Sequence, residues 1–338
     1  MAEIVAGKYV GNETNEKSFG GTETLTRGLI HGQKPELLKK FQIVSSRVRD
    51  LQEDLIRVFW AHDLPGDPEA NKALTKENQA KFHKFVFVSN WQMQAYIDRY
   101  KLPWSKCVVI TNSIEPIKTL PKPDPKEGVR FIYHSTPHRG LNILVSVFTA
   151  LAEKYPNIHL DVFSSFALYG WEQRDKEYAD VFKVMDEHPN ITNHGTQPNS
   201  VVREALNHSH VFAYPSIWAE TSCLCLLEAM SAENVCIHSN YGALYETAAG
   251  WTHMYQMHED LNKHASILYN ILDSTIPQIE LMLPKTGSAK SFIDLFHGHD
   301  AKNREWEALL TSLLHTVQDT TFPEPAFTYD TVKVLSGD

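Results

Sequence analysis

His210 to Met230 reads H-V-F-A-Y-P-S-I-W-A-E-T-S-C-L-C-L-L-E-A-M. An apolar run stops at Pro215, a short loop carries Glu220, and a second apolar run encloses Glu228. The first run predicts a strand, and Thr221 or Ser222, both good N-cap residues, predicts the start of a helix. The same strand–loop–helix order recurs on either side. Strands are predicted over 129–134, 158–165, 191–195 and 235–240, and helices over 141–155, 175–187 and 199–207. The helix over 141–155 shows its period plainly, with Leu141, Leu144, Val145, Phe148, Leu151, Ala152 and Tyr155 on one stripe. Repeated βα units imply a parallel sheet with helices on both faces and right-handed crossovers.

Upstream the pattern is less complete. Strands are predicted over 3–5, 42–45, 57–60, 84–89 and 107–111, with helices over 22–31 and 91–100. Between the halves, I-E-P-I-K-T-L-P-K-P-D-P-K-E-G holds four prolines, Pro116, Pro121, Pro123 and Pro125, which favour a stiff, extended connection. The predicted organisation is a short Rossmann-like domain over 1–115, a linker over 116–128 and a second Rossmann-like domain over 129–285. C-terminal helices over 286–338 are expected to cross back to the first domain. Trp306, Leu309, Leu310, Leu313 and Leu314 supply their apolar face. Two such domains leave a cleft at the carboxyl ends of their strands, where open α/β sheets bind ligands.

Bulk properties narrow the function. The chain has 338 residues, 42% hydrophobic and 22% charged, and a formal net charge of -9. That balance argues against broad binding to nucleic acid or anionic membrane. The start lacks the pattern of a secretory signal, and no window reaches the roughly 18 apolar residues of a membrane span. Cys107, Cys223, Cys225 and Cys236 form no C-x-x-C, which favours buried thiols in a reducing cytoplasm over disulfides or zinc. His297 and His299, an H-x-H pair, are assigned to a polar surface loop and no metal site is predicted.

Several side chains can carry chemistry in this frame. A helix starting near Thr221 at the end of a parallel strand offers backbone N–H groups and a positive dipole end to an anion. In a continuous helix, Glu220 and Glu228 would stand about 12 Å apart and about 80° around the axis. That layout suits two hydroxyl groups of one elongated ligand with an anion between them, as in a nucleotide-sugar. The alternative is a core helix whose Glu228 meets a buried basic partner while Glu220 is merely solvated; spacing leaves both open. Gly20 and Gly21, in F-G-G-T-E ahead of a helix, let a backbone approach a phosphate, although an ordinary turn also explains them. Ser135 and Arg139 lie in H-S-T-P-H-R-G-L after the strand at 129–134, where arginine could clamp a diphosphate. His62 and Asp63 end the strand at 57–60. Neither G-x-G-x-x-G nor G-x-x-x-x-G-K-[ST] occurs, which lowers the case for a dinucleotide enzyme or a P-loop NTPase.

Taken together, Glu220 and Glu228 with seven residues between them, Ala229-Met230 after them, V-F-A-Y-P-S-I-W-A-E, C-I-H-S-N-Y-G-A-L-Y-E, G-G-T-E, V-S-N-W and V-I-T-N-S-I-E make the chain resemble the retaining glycosyltransferases of family 4. The resemblance covers nearly the whole chain and is strongest over 129–246. It implies the GT-B fold of two facing Rossmann-like doubly wound domains, with a C-terminal helical segment packing back. It also implies transfer of a sugar from a UDP- or GDP-sugar with retained configuration, by a front-face route that requires no metal or other cofactor. Gly20 and Gly21 would approach the donor diphosphate and Arg139 neutralise it. Glu220 would hold hydroxyls of the moving sugar, and N–H groups of Thr221, Ser222, Cys223 and Leu224 would meet the phosphates. Glu228 would bind the ribose, and His62 would sit near donor sugar and acceptor. The base is expected near residues 163–165 and 194–198. Where the family often has Gly-Arg and then Lys-Gly, this chain has S-T-P-H-R-G, so Arg139 stands in the lysine's place.

The expected partners are the nucleotide-sugar and a glycan, lipid-linked or small-molecule acceptor. Two other readings stay open: a nucleotide-sugar-binding module without catalysis, favoured by the altered loop at 135–140, and a glycoside hydrolase using the two carboxylates.

Overall fold

The computed structural model describes residues 3–10, 20–47, 50–68 and 74–318. These form two compact units. Thr22–Asn112, the N-terminal strands and the chain from Asp300 make the first; Ser113–His299 make the second, with which Gly20 and Gly21 are grouped. Phe19 of the glycine motif and the C-terminal stretch after residue 318 lie outside the described residues.

The first unit holds a six-stranded sheet in the order β2-β1-β3-β4-β5-β6. Its strands are β1 (Glu3–Val5), β2 (Lys8–Val10), β3 (Phe41–Ser45), β4 (Ile56–Trp60), β5 (Lys84–Phe87) and β6 (Cys107–Val109). β3 to β6 run parallel, as the sequence predicts. β1 pairs antiparallel with both β3 and β2, and β2 was not foreseen. Three-residue strands show too little periodicity to be read. The turn between β1 and β2 is formed by Ala6 and Gly7, both at positive φ as a two-residue hairpin requires. α1 (Gly21–Gly32) and α2 (Asn90–Tyr100) flank the sheet. Ser89 caps α2 by accepting from Gln92 N. Val44, Phe59, Phe85, Phe87 and Tyr96 form part of this unit's core.

The second unit is built on six parallel strands: β7 (Arg130–Tyr133), β8 (His159–Val162), β9 (Ile191–Asn193), β10 (Val211–Tyr214), β11 (Val235–Ser239) and β12 (His253–Tyr255). Their spatial order is β12-β11-β10-β7-β8-β9. The chain thus winds outward from β7 to one edge, then returns to β10 and winds to the other. This is the doubly wound Rossmann order, with its switch point between β7 and β10. The helices include α3 (Leu141–Lys154), α4 (Ala179–Glu187), α5 (Asn199–His208), α6 (Leu224–Ser231), α7 (Leu261–Thr275) and α8 (Thr286–His297). β10 and β11 are buried along their whole length, which explains their unbroken apolar runs.

The proline-rich stretch carries neither helix nor strand and packs as part of this unit. Ile117 N donates to Ser231 Oγ at 2.8 Å, and Lys122 Nζ donates to the carbonyls of Leu206 and Ser209 at 3.1 and 2.6 Å. The surface loop expected around His297 and His299 is instead a one-residue break. His297 is buried at the end of α8, and His299 opens α9 (His299–Gln318) with Nδ1 on Ser113 Oγ at 2.9 Å. Gly298, in extended conformation between two apolar helical runs, is enough to separate them.

Leu144 of α3 is wholly buried in the second unit's core. Leu144→Ala removes a packed side chain and should cost about 2–5 kcal/mol. Denaturant titration of the full chain checks this; a loss near zero would contradict the packing described.

Candidate functional site

The two loops at the switch point, after β7 and after β10, bring the sequence-predicted residues of the second unit together. β7 ends in Tyr133 and a short 3-10 turn spans Pro137–Arg139 before Gly140 opens α3. Gly140 lies at φ +96°, and a Cβ there would collide with the Pro215 carbonyl oxygen of the facing loop. Glycine therefore lets the β7 loop lie against the β10 loop.

Glu220 is buried to 7% exposure in the β10 loop. Tyr214 OH donates to its Oε1 at 2.7 Å, and Arg139 Nε approaches the same oxygen at 2.8 Å. The Arg139 contact is an ion pair whose angle leaves Nε without a hydrogen bond. Arg139 Nη1 donates to Thr136 Oγ1 at 2.6 Å. Burial, then the Glu220 charge, pushes the Tyr214 hydroxyl pKa well up, so it stays protonated and donates. Ser135 Oγ lies 3.3 Å from Tyr214 OH; with that proton committed to Glu220, Ser135 is the donor.

Sequence reasoning missed what seats Glu220. Glu220 forms a parallel bridge with Gly242, and Ala243 N donates to Glu220 O at 2.7 Å. Gly242 lies at φ +68°, and a Cβ there would stand 2.5 Å from both Glu220 N and O. Gly242 was visible only as part of a glycine-bearing turn.

The helix does not begin where expected. Thr221 and Ser222 precede it, and α6 starts at Leu224 with Cys223 as N-cap and no side-chain capping bond. The continuous-helix spacing of Glu220 and Glu228 therefore does not hold: bridging to Gly242 keeps 220–223 extended or bent, overriding the local capping preference. The helix start still lies just beyond the end of β10, with the first-turn N–H groups of Leu224 and Cys225 at its open end. Gly21 stands close to it: a Cβ on Gly21 would lie 2.8 Å from Leu224 Cδ1.

Glu228 is buried within α6. Asn199 Nδ2 donates to its Oε1 at 2.9 Å, while Arg203 Nη1 and His134 Nδ1 remain at 3.9 and 3.8 Å. Burial pushes its pKa up, only partly offset by His134 and Asn199. Both glutamates thus face the β7 loop, Glu220 through Arg139 and Glu228 through His134. Further out, His138 stacks on Phe166 with centroids 5.3 Å apart and meets the exposed Trp218 edge-on at 4.7 Å. Burial and the charges of Arg139 and Arg174 pull the His138 pKa down to about 3. Near the expected base site, Phe163 and His194 stack at 4.3 Å and 5°. His62 lies in the first unit, at the end of β4, its N–H on Ser46 Oγ at 2.8 Å and its ring against Trp60. Burial pulls its pKa down to about 3, so its imidazole is neutral.

Residues 112–259, which include this site, match the family described as Glycosyl transferases group 1. No curated protein matches the chain in sequence. Among solved structures, a glycosyltransferase from Rickettsia africae aligns at 17% identity with TM-score 0.63, over 90% of this chain and 84% of that one. An E. coli protein described as trehalose-6-phosphate, bound with UDP-2-fluoro glucose, aligns at 13% identity with TM-score 0.57, over 76% and 68%. TarM aligns at 14% identity with TM-score 0.57 over 76% of this chain, which spans about half, 51%, of TarM's length. These likenesses show the GT-B fold. Among the described residues, no helix is long and apolar enough to cross a membrane, and no group of His, Cys, Asp and Glu side chains is arranged to hold a metal ion.

Two outcomes check this geometry. Gly242→Ala should lower the thermal midpoint measurably, because the added Cβ displaces the Glu220 backbone and the left-handed φ is strained; an unchanged midpoint would refute the close approach. The folded pKa of His62 lies below its unfolded value of about 6.5, so the stability from keeping it neutral is whole above that pH and is lost as pH falls toward 3. His62→Gln should therefore lose less stability than wild type between pH 7 and 5, as read by denaturant titration at each pH.

Proposed function

We propose that the protein is a retaining glycosyltransferase of the family 4 kind. It moves a sugar from a UDP- or GDP-sugar to a glycan, lipid-linked or small-molecule acceptor, without a metal. The observation that carries this reading is the Arg139–Glu220–Tyr214 network at the β7/β10 switch point, beside the start of α6 and within the segment matched to group 1 glycosyl transferases. The UDP-sugar held by the E. coli neighbour puts UDP first among donors to test. The four free thiols fit a reducing, cytoplasmic setting.

As the bond to the nucleotide breaks, negative charge grows on the departing diphosphate and positive charge on the sugar ring. Fixed positive groups around the phosphates stabilise the first. In this reading Arg139, the N–H groups of Thr221, Ser222, Cys223 and Leu224, and the backbone of Gly20 and Gly21 do this. The Arg139–Glu220 contact lacks hydrogen-bond alignment, so the guanidinium can turn to a phosphate without losing a well-formed bond. Glu220 then takes hydroxyls of the sugar, with Tyr214 and Ser135 orienting it. Glu228 has one well-bonded oxygen and another with only a long contact to His134, which leaves capacity for a ribose diol. The leaving diphosphate takes the acceptor's proton on the same face, which retains configuration. His62, in the first unit, would take part as a neutral imidazole.

One feature favours a second reading, a nucleotide-sugar-binding module without catalysis. The Gly-Arg that the family often has in this loop is absent, and Ser135 there bonds Tyr214 and brings no charge. Calorimetry with UDP, GDP and their sugars, followed by assays of nucleotide release and transfer, separates the two. Glu220→Ala should reduce release about 100-fold or more with little change in nucleotide affinity. Glu228→Ala should weaken nucleotide binding by about tenfold, the loss of one or two hydrogen bonds to a charged acceptor. Nucleotide release unaffected by Glu220→Ala would sink the catalytic assignment; tight binding with no turnover on any acceptor would favour the binding module.

A further inference from the structure

The first turn of α6 carries a cluster that the reading above does not use. Cys225 is the second residue of α6, at the helix end where the dipole favours a thiolate. It is only partly buried, whereas its neighbour Cys223 is buried. Its Sγ donates to the His134 carbonyl oxygen at 2.8 Å. The His134 ring is 8% exposed and packs on Phe212, with Nδ1 3.8 Å from Glu228 Oε2 and a buried Nε2 that has no hydrogen-bond partner. A thiol, an imidazole and a carboxylate therefore stand together, and a core needs none of them. An apolar side chain at 225 would fill the same space.

We propose that Cys225 is a reactive thiol whose reversible modification by a small-molecule disulfide closes the donor site. The regulatory part rests on the donor assignment made above; the reactivity of the thiol does not. In the reaction, the Cys225 sulfur attacks one sulfur of the disulfide and the S–S bond breaks. A new S–S bond forms to Cys225, and the other half leaves as a thiol, taking up a proton to replace the one Cys225 gave to His134 or water. Excess dithiol reverses the step by the same exchange. The adduct would sit on the first turn of α6, beside His134 and one turn ahead of Glu228, where a nucleotide has to lie.

One contact opposes ionisation: the bond to the His134 carbonyl needs the Cys225 proton, so the thiolate forms only by giving that bond up. Hydrogen bonding by Cys223, then the His134 imidazole and the charge of Arg139, hold the Cys225 thiol well below the usual thiol range against the opposing effect of burial. Burial pushes Cys223 well up. Burial disfavours a charged His134, but Cys225 and Glu228 outweigh it and hold the His134 pKa up. Cys107 is partly exposed too, but burial drives its thiol up to about 12. Cys225 and Cys107 thus form an internal comparison: both are partly exposed, Cys225 sits the deeper, and their environments push the thiol in opposite directions.

The full chain is treated with limiting iodoacetamide across pH 5.5–9, and each cysteine is followed by peptide mass spectrometry. Cys225 should label at least about tenfold faster than Cys107 at pH 7, the thiolate being the nucleophile. His134→Gln should slow Cys225 labelling and move its pH midpoint upward while leaving Cys107 unchanged. In parallel, the chain is incubated with oxidised glutathione and UDP binding is measured by calorimetry. Binding should fall, return with dithiothreitol, and be insensitive to glutathione in Cys225→Ser. Labelling of Cys225 no faster than Cys107 overturns the proposal. So does fast labelling with UDP affinity unaffected by the mixed disulfide. If untreated wild type binds no nucleoside diphosphate, the donor assignment fails, and the labelling rate and pH midpoint still decide whether Cys225 is the reactive thiol.

Discussion

A single buried charge organises the second unit. Glu220 lies in the loop where the sheet changes winding direction, almost sealed from solvent. A carboxylate there without partners would cost several kcal/mol of lost hydration. Arg139 supplies the counter-charge, Tyr214 a hydrogen bond, and Ala243 an N–H to the Glu220 carbonyl. Each partner comes from a different piece of chain, so the β7 loop, β10 and the turn after β11 all have to close around one oxygen atom and one peptide. Gly140 and Gly242 are the positions where side chains would prevent that closure.

The arrangement divides labour within the loop after β7. Arg139, at its far end, answers Glu220; His134, at its near end, answers Glu228. The two responses differ in quality. The first is a close ion pair supported by hydrogen bonds to both partners. The second is a long contact that leaves an imidazole nitrogen unpartnered and a carboxylate with a raised pKa. The second leaves the more bonding capacity unmet, as sites that await a ligand tend to do.

Much of this was legible in the sequence because parallel strands buried on both faces are continuous apolar runs, and 3.6-residue stripes mark helices such as α3. β7 to β11 and their helices follow from that. The antiparallel β1–β2 hairpin did not, because three residues carry no period. The start of α6 was misplaced because Thr221 and Ser222 are good caps locally, while a bridge to Gly242, distant in sequence, holds that stretch out of the helix. His297 and His299 were assigned to a loop because polarity was weighed over the helical runs around them. Among the site residues, Ser135, Arg139 and Glu220 come together as their positions at strand ends suggest. Gly242, Tyr214 and His134 escaped notice because their parts depend on which loops meet, a property of the folded chain.

Glu228 has a consequence beyond its contacts. Burial raises the proton affinity of this carboxyl, and it lies near an imidazole whose affinity is raised by Cys225 and Glu228. Any ligand that places hydroxyl groups against that carboxyl favours its charged form, against the direction in which burial pushes it. By thermodynamic reciprocity, acidification must then loosen the ligand to the same degree. On the proposed reading, the heat of binding a ribose-bearing ligand would vary with the ionisation heat of the buffer to the extent that Glu228 releases a proton.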